Sequence, residues 1–225
     1  MLVKLLKKAR WMARQRYSAC CRLMMGAKQV PPNYVFRDRF SAGSVAIDVG
    51  TGCDPDFSKH LMTNYNMECF AVDPTLKHAA ALRQLETEQP LFHYLPLAVG
   101  PRNGAADFHE SQVNVSGSFL KQHRNIVNDP VETYPVEMVT LAELLRRVAK
   151  RPVGIVKLDL EGYEYGVLFA LDKAATAEVP QMIVEFHHDT VAGISWQETA
   201  RAIRHVRSLG FKSFVYNGRD CLFYR

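Results

Sequence analysis

Apolar positions along the chain follow two periods in turn. Short runs rich in β-branched residues read as buried strands: Val45–Val49, Met67–Val72, Leu91–Val99, Val153–Leu160 and Gln181–Phe186. Between them the period lengthens to that of a helix. From Pro55, Phe57, Leu61, Met62 and Tyr65 share a face; from Pro74 to about Glu86, Leu76, Ala79, Ala80 and Leu85 do. Leu141, Leu144, Leu145 and Val148 mark a third helix, Tyr163–Leu171 a fourth, and a fifth runs from Trp196 to a terminating Gly210. Thr140-Leu141-Ala142-Glu143 and Ser195-Trp196-Gln197-Glu198 have capping-box spacing, and Asp54-Pro55 reads as a cap followed by the first helical position. Phe211–Tyr216 and Cys221–Tyr224 around Asn217-Gly218 read as a closing hairpin. Alternating strands and helices predict a doubly wound α/β fold, with a mostly parallel seven-stranded sheet that ends in this antiparallel hairpin. Ala105–Glu110 reads as a short added strand. Residues 111–135 lack periodicity, and Ser116-Gly117-Ser118 reads as part of a loop over the site.

Upstream of this body, residues 1–28 read as one amphipathic helix. Leu2, Leu5, Leu6, Ala9, Met12, Ala13, Tyr17, Cys20, Leu23 and Met24 form its stripe, with Lys4, Lys7, Lys8, Arg10, Arg14 and Arg22 opposite. Val30-Pro31-Pro32-Asn33 breaks the helix and starts a linker, which predicts an arm over 1–39 and a globular domain over 40–225. Charge follows the same division. Residues 1–37 hold nine Lys or Arg and no acid, whereas the remainder holds 19 basic and 23 acidic residues. The net charge of +5 therefore belongs to the arm. A mildly acidic body is a poor phosphate-binding surface and predicts no nucleic-acid partner. A basic amphipathic arm suits either the headgroup layer of an anionic membrane or a stripe packed on the body. The expected location is cytoplasmic, peripheral to the inner face of a membrane. Five cysteines without C-x-x-C spacing fit buried thiols in a reducing compartment, and no apolar run approaches a membrane span.

Candidate chemistry collects where strands end. Val45–Val49 leads into Gly50-Thr51-Gly52, glycines that let a ligand lie against the main chain. Pro55 stands where a dinucleotide fingerprint has its third glycine, which argues against a docked pyrophosphate. Asp73, ending the second strand, suits the two hydroxyls of a ribose. A nucleoside without pyrophosphate suggests S-adenosylmethionine. The densest cluster is Lys157-Leu158-Asp159-Leu160-Glu161-Gly162-Tyr163-Glu164, followed one strand later by Glu185-Phe186-His187-His188-Asp189. Charges at the end of a buried strand are costly unless paired or used.

These segments resemble the FkbM family of S-adenosylmethionine-dependent methyltransferases. The likeness runs through Ile47–Gly52, Val72-Asp73-Pro74, Leu97–Gly100, Gly117-Ser118, Thr140-Leu141, Lys157–Glu164 and Val184–His187, in family order. It departs at Thr51, at Cys53-Asp54-Pro55 and at Asp73. The resemblance implies a class I, Rossmann-like domain. It implies that Asp48, Gly50 and Gly52 line the methionine end of the cofactor and that Asp73 binds the ribose, with Thr51, Pro74, Ser118 and Asp159 as further candidate cofactor contacts. Leu97 and Ala98 would stand near the adenine, Ser118 over the site, and Asp159 with Glu161 where the methyl group meets its acceptor. The implied reaction is O-methylation of a sugar, glycan or small-molecule hydroxyl. Within the cluster, Lys157 pairs with Asp159, and His187 is the candidate general base, oriented by Asp159 or Glu185. A magnesium or manganese ion on Asp159, Glu161 and Glu185 is the alternative route. Two other readings stand beside this one. A nucleotide-dependent oxidoreductase is opposed by Pro55, and a non-catalytic nucleoside-binding or membrane-docked module is kept open by the departures at Thr51–Pro55.

Overall fold

The computed structural model describes residues 18–148 and 151–225. The chain divides into two units, Met1–Phe40 and Ser41–Arg225. In the first, residues 18–25 are helical and Gly26 ends the helix at φ +64°. The rest of the expected arm helix, residues 1–17, lies outside the described residues. Where that helix was to continue, β1 (Ala27–Val30) pairs antiparallel with β2 (Tyr34–Arg37). Val30-Pro31-Pro32-Asn33 is thus the turn of a hairpin, not the start of a linker. A left-handed glycine stops the helix five residues before the prolines could. Leu23 and Met24, on the predicted stripe, are exposed.

The second unit is built on a seven-stranded sheet. In chain order its elements are β3 (Val45–Val49), α1 (Asp56–Tyr65), β4 (Glu68–Val72), α2 (Leu76–Glu88) and β5 (Phe92–Leu95). After an inserted sheet come α3 (Leu141–Val148), β10 (Val153–Asp159), α4 (Glu164–Phe169), β11 (Gln181–Glu185), α5 (Trp196–Ser208), β12 (Lys212–Tyr216) and β13 (Asp220–Tyr224). The strand order is β12-β13-β11-β10-β3-β4-β5. β13 alone is antiparallel, and it is inserted between β11 and β12 instead of forming the edge. The chain leaves β3 toward β4 on one side and returns to β10 on the other. A crevice opens at such a reversal, beyond the strands' carboxyl ends. All five residues of β3 are buried, as expected of a parallel strand covered on both faces. Ile47, Val49, Val156, Leu158 and Val184 anchor the larger core, and Leu82, Phe92 and Tyr94 a smaller one under α2.

Three local expectations change. Pro55 is itself the cap of α1, and Asp54 pairs with Lys59 at 2.7 Å. Leu76 and Ala80 of α2 face outward, while His78 and Leu82 are buried. The Leu91–Val99 run splits, its last two residues forming β6 (Ala98–Val99) in a second sheet. That sheet has the order β6-β9-β7-β8, with β7 Gly104–Ser111, β8 Gly117–Ser118 and β9 Val131–Val139. Residues 117–118, read as loop, pair with His109 and Glu110. β9 hides in sequence because Pro135 interrupts it. The strand tolerates proline because its second neighbour, β6, pairs only at Met138 and Val139.

Candidate active site

The glycine turn is shaped by close approach. Gly50 has φ +74° and donates its N–H to the Val72 carbonyl at 2.9 Å; a Cβ here would lie 1.6 Å from the Asp159 carbonyl oxygen. No other residue fits between these strands. Thr51 is buried and closes the turn by donating Oγ1–H to the Asp48 carbonyl at 2.7 Å. Asp48 is fully buried and accepts from Ser58 Oγ at 2.8 Å. Lys157 lies 3.3 Å from Asp48 Oδ1 and 3.5 Å from Asp159 Oδ2, and donates to the Gly50 carbonyl at 3.1 Å. Asp48, Thr51 and Lys157 thus brace the turn from within. Gly52 differs: at φ +72°, open space occupies the position its side chain would take.

On one side of the turn stands Asp73, 4% exposed. Its Oδ2 accepts the Gly52 N–H and its Oδ1 the Thr75 N–H, each at 2.8 Å. Oδ2 also lies 3.3 Å from His78 Nδ1. Burial works to raise the Asp73 carboxyl, but the bonds from His78 and Thr75 outweigh it and hold the group below the usual carboxylate range. Tyr94 donates its hydroxyl to the Asp73 carbonyl at 3.0 Å. Leu97 and Ala98 are buried after β5, and Pro74 is half-buried.

On the other side the titratable groups converge. Asp159 and Glu185 are cross-strand neighbours, and Glu185 is paired in turn with Asp220. His187 Nε2 lies 3.6 Å from Asp159 Oδ1, 3.6 Å from Glu161 Oε2 and 4.0 Å from Glu185 Oε1. On its far side, Glu164 is wholly buried. Its carboxylate accepts the main-chain N–H of Gly162 at 2.9 Å and of His187 at 2.8 Å, and stands 3.4 Å from His187 Nδ1. Burial lowers the His187 imidazole, but Glu164, Asp159 and Glu161 together push it up to about 9. Burial, with Asp159 and Asp220 adding to it, raises Glu185 to about 7. Asp159 is raised by burial, against the pull of Lys157 and His187.

Glu161 adopts φ +49°, uncommon for a residue with a side chain, in the turn that follows β10. Ser118 donates Oγ–H to its carbonyl at 2.9 Å, which places Ser118 beside the charged cluster. His123 is fully buried, with Nε2 2.8 Å from Glu161 Oε2, while its Nδ1 accepts the Asn125 N–H at 3.3 Å. Glu161 is lowered: burial raises it, and His123 and His187 overcome that. The structure gives the metal alternative no support. Among the described residues no three His, Cys, Asp or Glu side chains form a metal-ligating group. Asp159, Glu161 and Glu185 are arranged about His187 instead.

The structure therefore divides the predicted residues in two. Gly50, Gly52 and Asp73 form one end, and Asp159, Glu161, Glu185 and His187 the other. Glu164, Asp220, His123 and His78 are the additions. Glu164 sits within the quoted motif but had no role there. His123 carries no local signal, because its partner Glu161 is distant in sequence, and His78, though only five residues from Asp73, has its other partner, Val115, equally far off.

Six parallel strands, with the seventh reversed and set one place inside the edge, make the Rossmann-like sheet of class I methyltransferases. Within that class, the FkbM methyltransferase domain matches residues 52–213, and the chain belongs to this family. No curated protein matches the sequence. An FkbM methyltransferase structure from Methylobacillus flagellatus aligns at TM-score 0.53 with 11% identity, covering 84% of this chain and 46% of that one. This chain thus spans about half of that protein's length. The Methanococcus jannaschii fibrillarin pre-rRNA processing protein aligns at TM-score 0.51 with 7% identity, covering 90% of this chain and 72% of that one. At such identities the likeness is one of fold. Among the described residues, no helix is long and apolar enough to cross a membrane.

Proposed function

We propose that this protein transfers the methyl group of S-adenosylmethionine to a hydroxyl of a small-molecule or glycan acceptor. The observation that carries the reading is a division at the carboxyl ends of the central strands. A hydrogen-bonded carboxylate, Asp73, stands on one side of an open glycine turn, and a proton-holding cluster on the other. The open position at Gly52 and the adjacent Asp73 fit a nucleoside thioether, with the ribose on Asp73 and the sulfur toward Asp159. S-adenosylmethionine, when bound, supplies a methyl group on a positively charged sulfur. What the chain supplies is position and a place for the hydroxyl's proton. With its imidazole raised to about 9, His187 already holds a proton at neutral pH. The base is therefore Glu185, at about 7, with Asp159 beside it; charged His187 holds both carboxylates in place. This moves the base from the histidine to the carboxyl two residues before it, the cross-strand partner of Asp159. The basic arm seats the enzyme on anionic membrane. Full-length protein is expected to float with anionic vesicles while a chain starting at Phe40 stays behind; equal behaviour of the two would end that idea.

The test of the main reading is thermal unfolding with S-adenosylhomocysteine, with NAD as control. At a hundred times its Kd, a ligand adds about 2.7 kcal/mol to the native state. A shift with NAD alone overturns the reading. Labelled methyl transfer to a panel of alcohols, amines and glycans then tests the acceptor. Product on amines, with none on hydroxyls, would refute O-methylation.

A further inference from the structure

We propose that His78 is a latch on the nucleoside site: its imidazole occupies the Asp73 oxygen that a ribose hydroxyl needs, and the bound nucleoside displaces it. The inference rests on the reading of Asp73 as the ribose acceptor.

The argument begins with counting. A carboxylate offers about four lone-pair positions. At Asp73 three face donors inside the chain: the Gly52 N–H, the Thr75 N–H and His78 Nδ1. One position is left, and a ribose diol requires two. The two main-chain donors are held in the glycine turn and at the start of α2, so neither can withdraw without undoing local structure. His78 is a side chain and can turn about its own bonds. The low exposure of Asp73 says the same thing in area, since its carboxylate is covered from the protein side.

The other ring nitrogen identifies what is latched. His78 Nε2 lies 3.1 Å from the Val115 carbonyl oxygen. Both nitrogens thus face acceptors, an arrangement that only the doubly protonated ring satisfies with two donors. The imidazole is raised accordingly: burial lowers it, and Asp73 and the Val115 carbonyl overcome that. Lys77, next in the helix, donates to the Ser111 carbonyl and, at 2.7 Å, to the Asn114 carbonyl. Two neighbouring cations of α2 therefore hold residues 111–115 across the end of β4. The other groups facing this place are Glu110 of β7, 3.6 Å from Lys77; Tyr134 of β9, which donates to Glu110; and Tyr94 of β5. Asp73 is held below the usual carboxylate range and Tyr94 up to about 12, so neither titrates between pH 6 and 9.

The experiment is calorimetric titration of the full chain with S-adenosylhomocysteine from pH 6 to 9, in wild type, His78→Gln and His78→Ala. Raising the pH removes one of the ring's two donors and loosens the latch. Wild-type affinity should rise about tenfold over this range, the scale of one charge-assisted hydrogen bond. Both variants should bind about tenfold tighter than wild type at pH 6, by the same estimate, and should lose the slope. Variants that bind no tighter than wild type, or that keep its slope, overturn the latch. If the variants fail to fold, a flat or falling wild-type profile overturns it alone. Failure of all three proteins to bind at any pH removes the nucleoside reading itself; binding by the variants but not wild type would be the strongest form of the latch.

Discussion

Asp73 and Asp159 end strands on either side of β3, the first buried and the second half-buried, yet they titrate in opposite directions. Asp73 is held below the usual range and Asp159 is raised. Burial alone would raise both. The difference lies in what each meets. Asp73 meets donors: two main-chain N–H groups and an imidazole. Asp159 meets other acids, Glu161 and Glu164 among them, with Lys157 and His187 compensating only in part. One end of the site therefore keeps a fixed negative charge, which the proposed function assigns to the ribose hydroxyls. At the other, Asp159 and Glu185 are both raised among neighbouring acids, while Glu161 is lowered by His123 and His187. On the proposed function, the first kind of aspartate ties down the nucleoside and the second stands where an alcohol gives up its proton.

The largest expected effect comes from removing the carboxylate that organises the crowded end. Glu164→Ala leaves the Gly162 and His187 N–H groups without their buried acceptor and takes away the closest acid of His187. Breaking a buried pair of this kind costs about 3–5 kcal/mol. Urea denaturation should show that loss, and a cost below about 1 kcal/mol, the value of an ordinary exposed pair, would mean the crowding needs no anchor.

A direct contrast of the two aspartates comes next. Asp73→Ala should weaken S-adenosylhomocysteine binding about a hundredfold, since two bonds to a charged acceptor are lost. Asp159→Asn should change that affinity by only about threefold, within one modest hydrogen bond, while labelled methyl transfer falls at least about a hundredfold. Equal losses of affinity in both variants would erase the division of labour drawn here.

The smallest effect is also the most discriminating. Glu185, raised from its ordinary 4.5 to about 7, contributes stability that is complete below 4.5 and lost as pH rises through 7. His187, raised from 6.5 to about 9, contributes stability that is complete below 6.5 and lost as pH rises through 9. Asp73, lowered, contributes in the other direction: its share is present above 3.8 and lost as pH falls below it. Scanning calorimetry should find Tm declining from about pH 5 toward pH 9 by this linkage. Glu185→Gln should flatten the lower half of the decline and leave the upper half. A Tm that rises across this window would show that the acids are not crowded as described.

Much of this was legible in the chain itself. β-branched runs and helical periods located every strand and helix of the large sheet, because each buries a face whose repeat is written locally. The charged pairs of acids were equally visible, since Lys157–Glu164 and Glu185–His187 are short segments at the ends of apolar runs. The second sheet was only half visible: Pro135 and the charges of β9 mask its alternation, and its partner β7 supplies most of the hydrogen bonds. Leu76 was placed inward on periodicity, but the helix is rotated so that His78 and Leu82 face in.

The sequence by itself determined the order of elements, the glycine turn and the acids at the strand ends. Periodicity, chain stiffness and turn chemistry are properties of neighbours in the chain. Only the tertiary structure decided which carboxyl keeps its charge, which histidine carries a proton, and that His123 and His78 belong to the site. His123 meets Glu161 and His78 meets Val115 across more than thirty residues. Protonation in a buried place is set by the sum of desolvation, donors and nearby charges, and none of those is known until distant strands have been brought side by side.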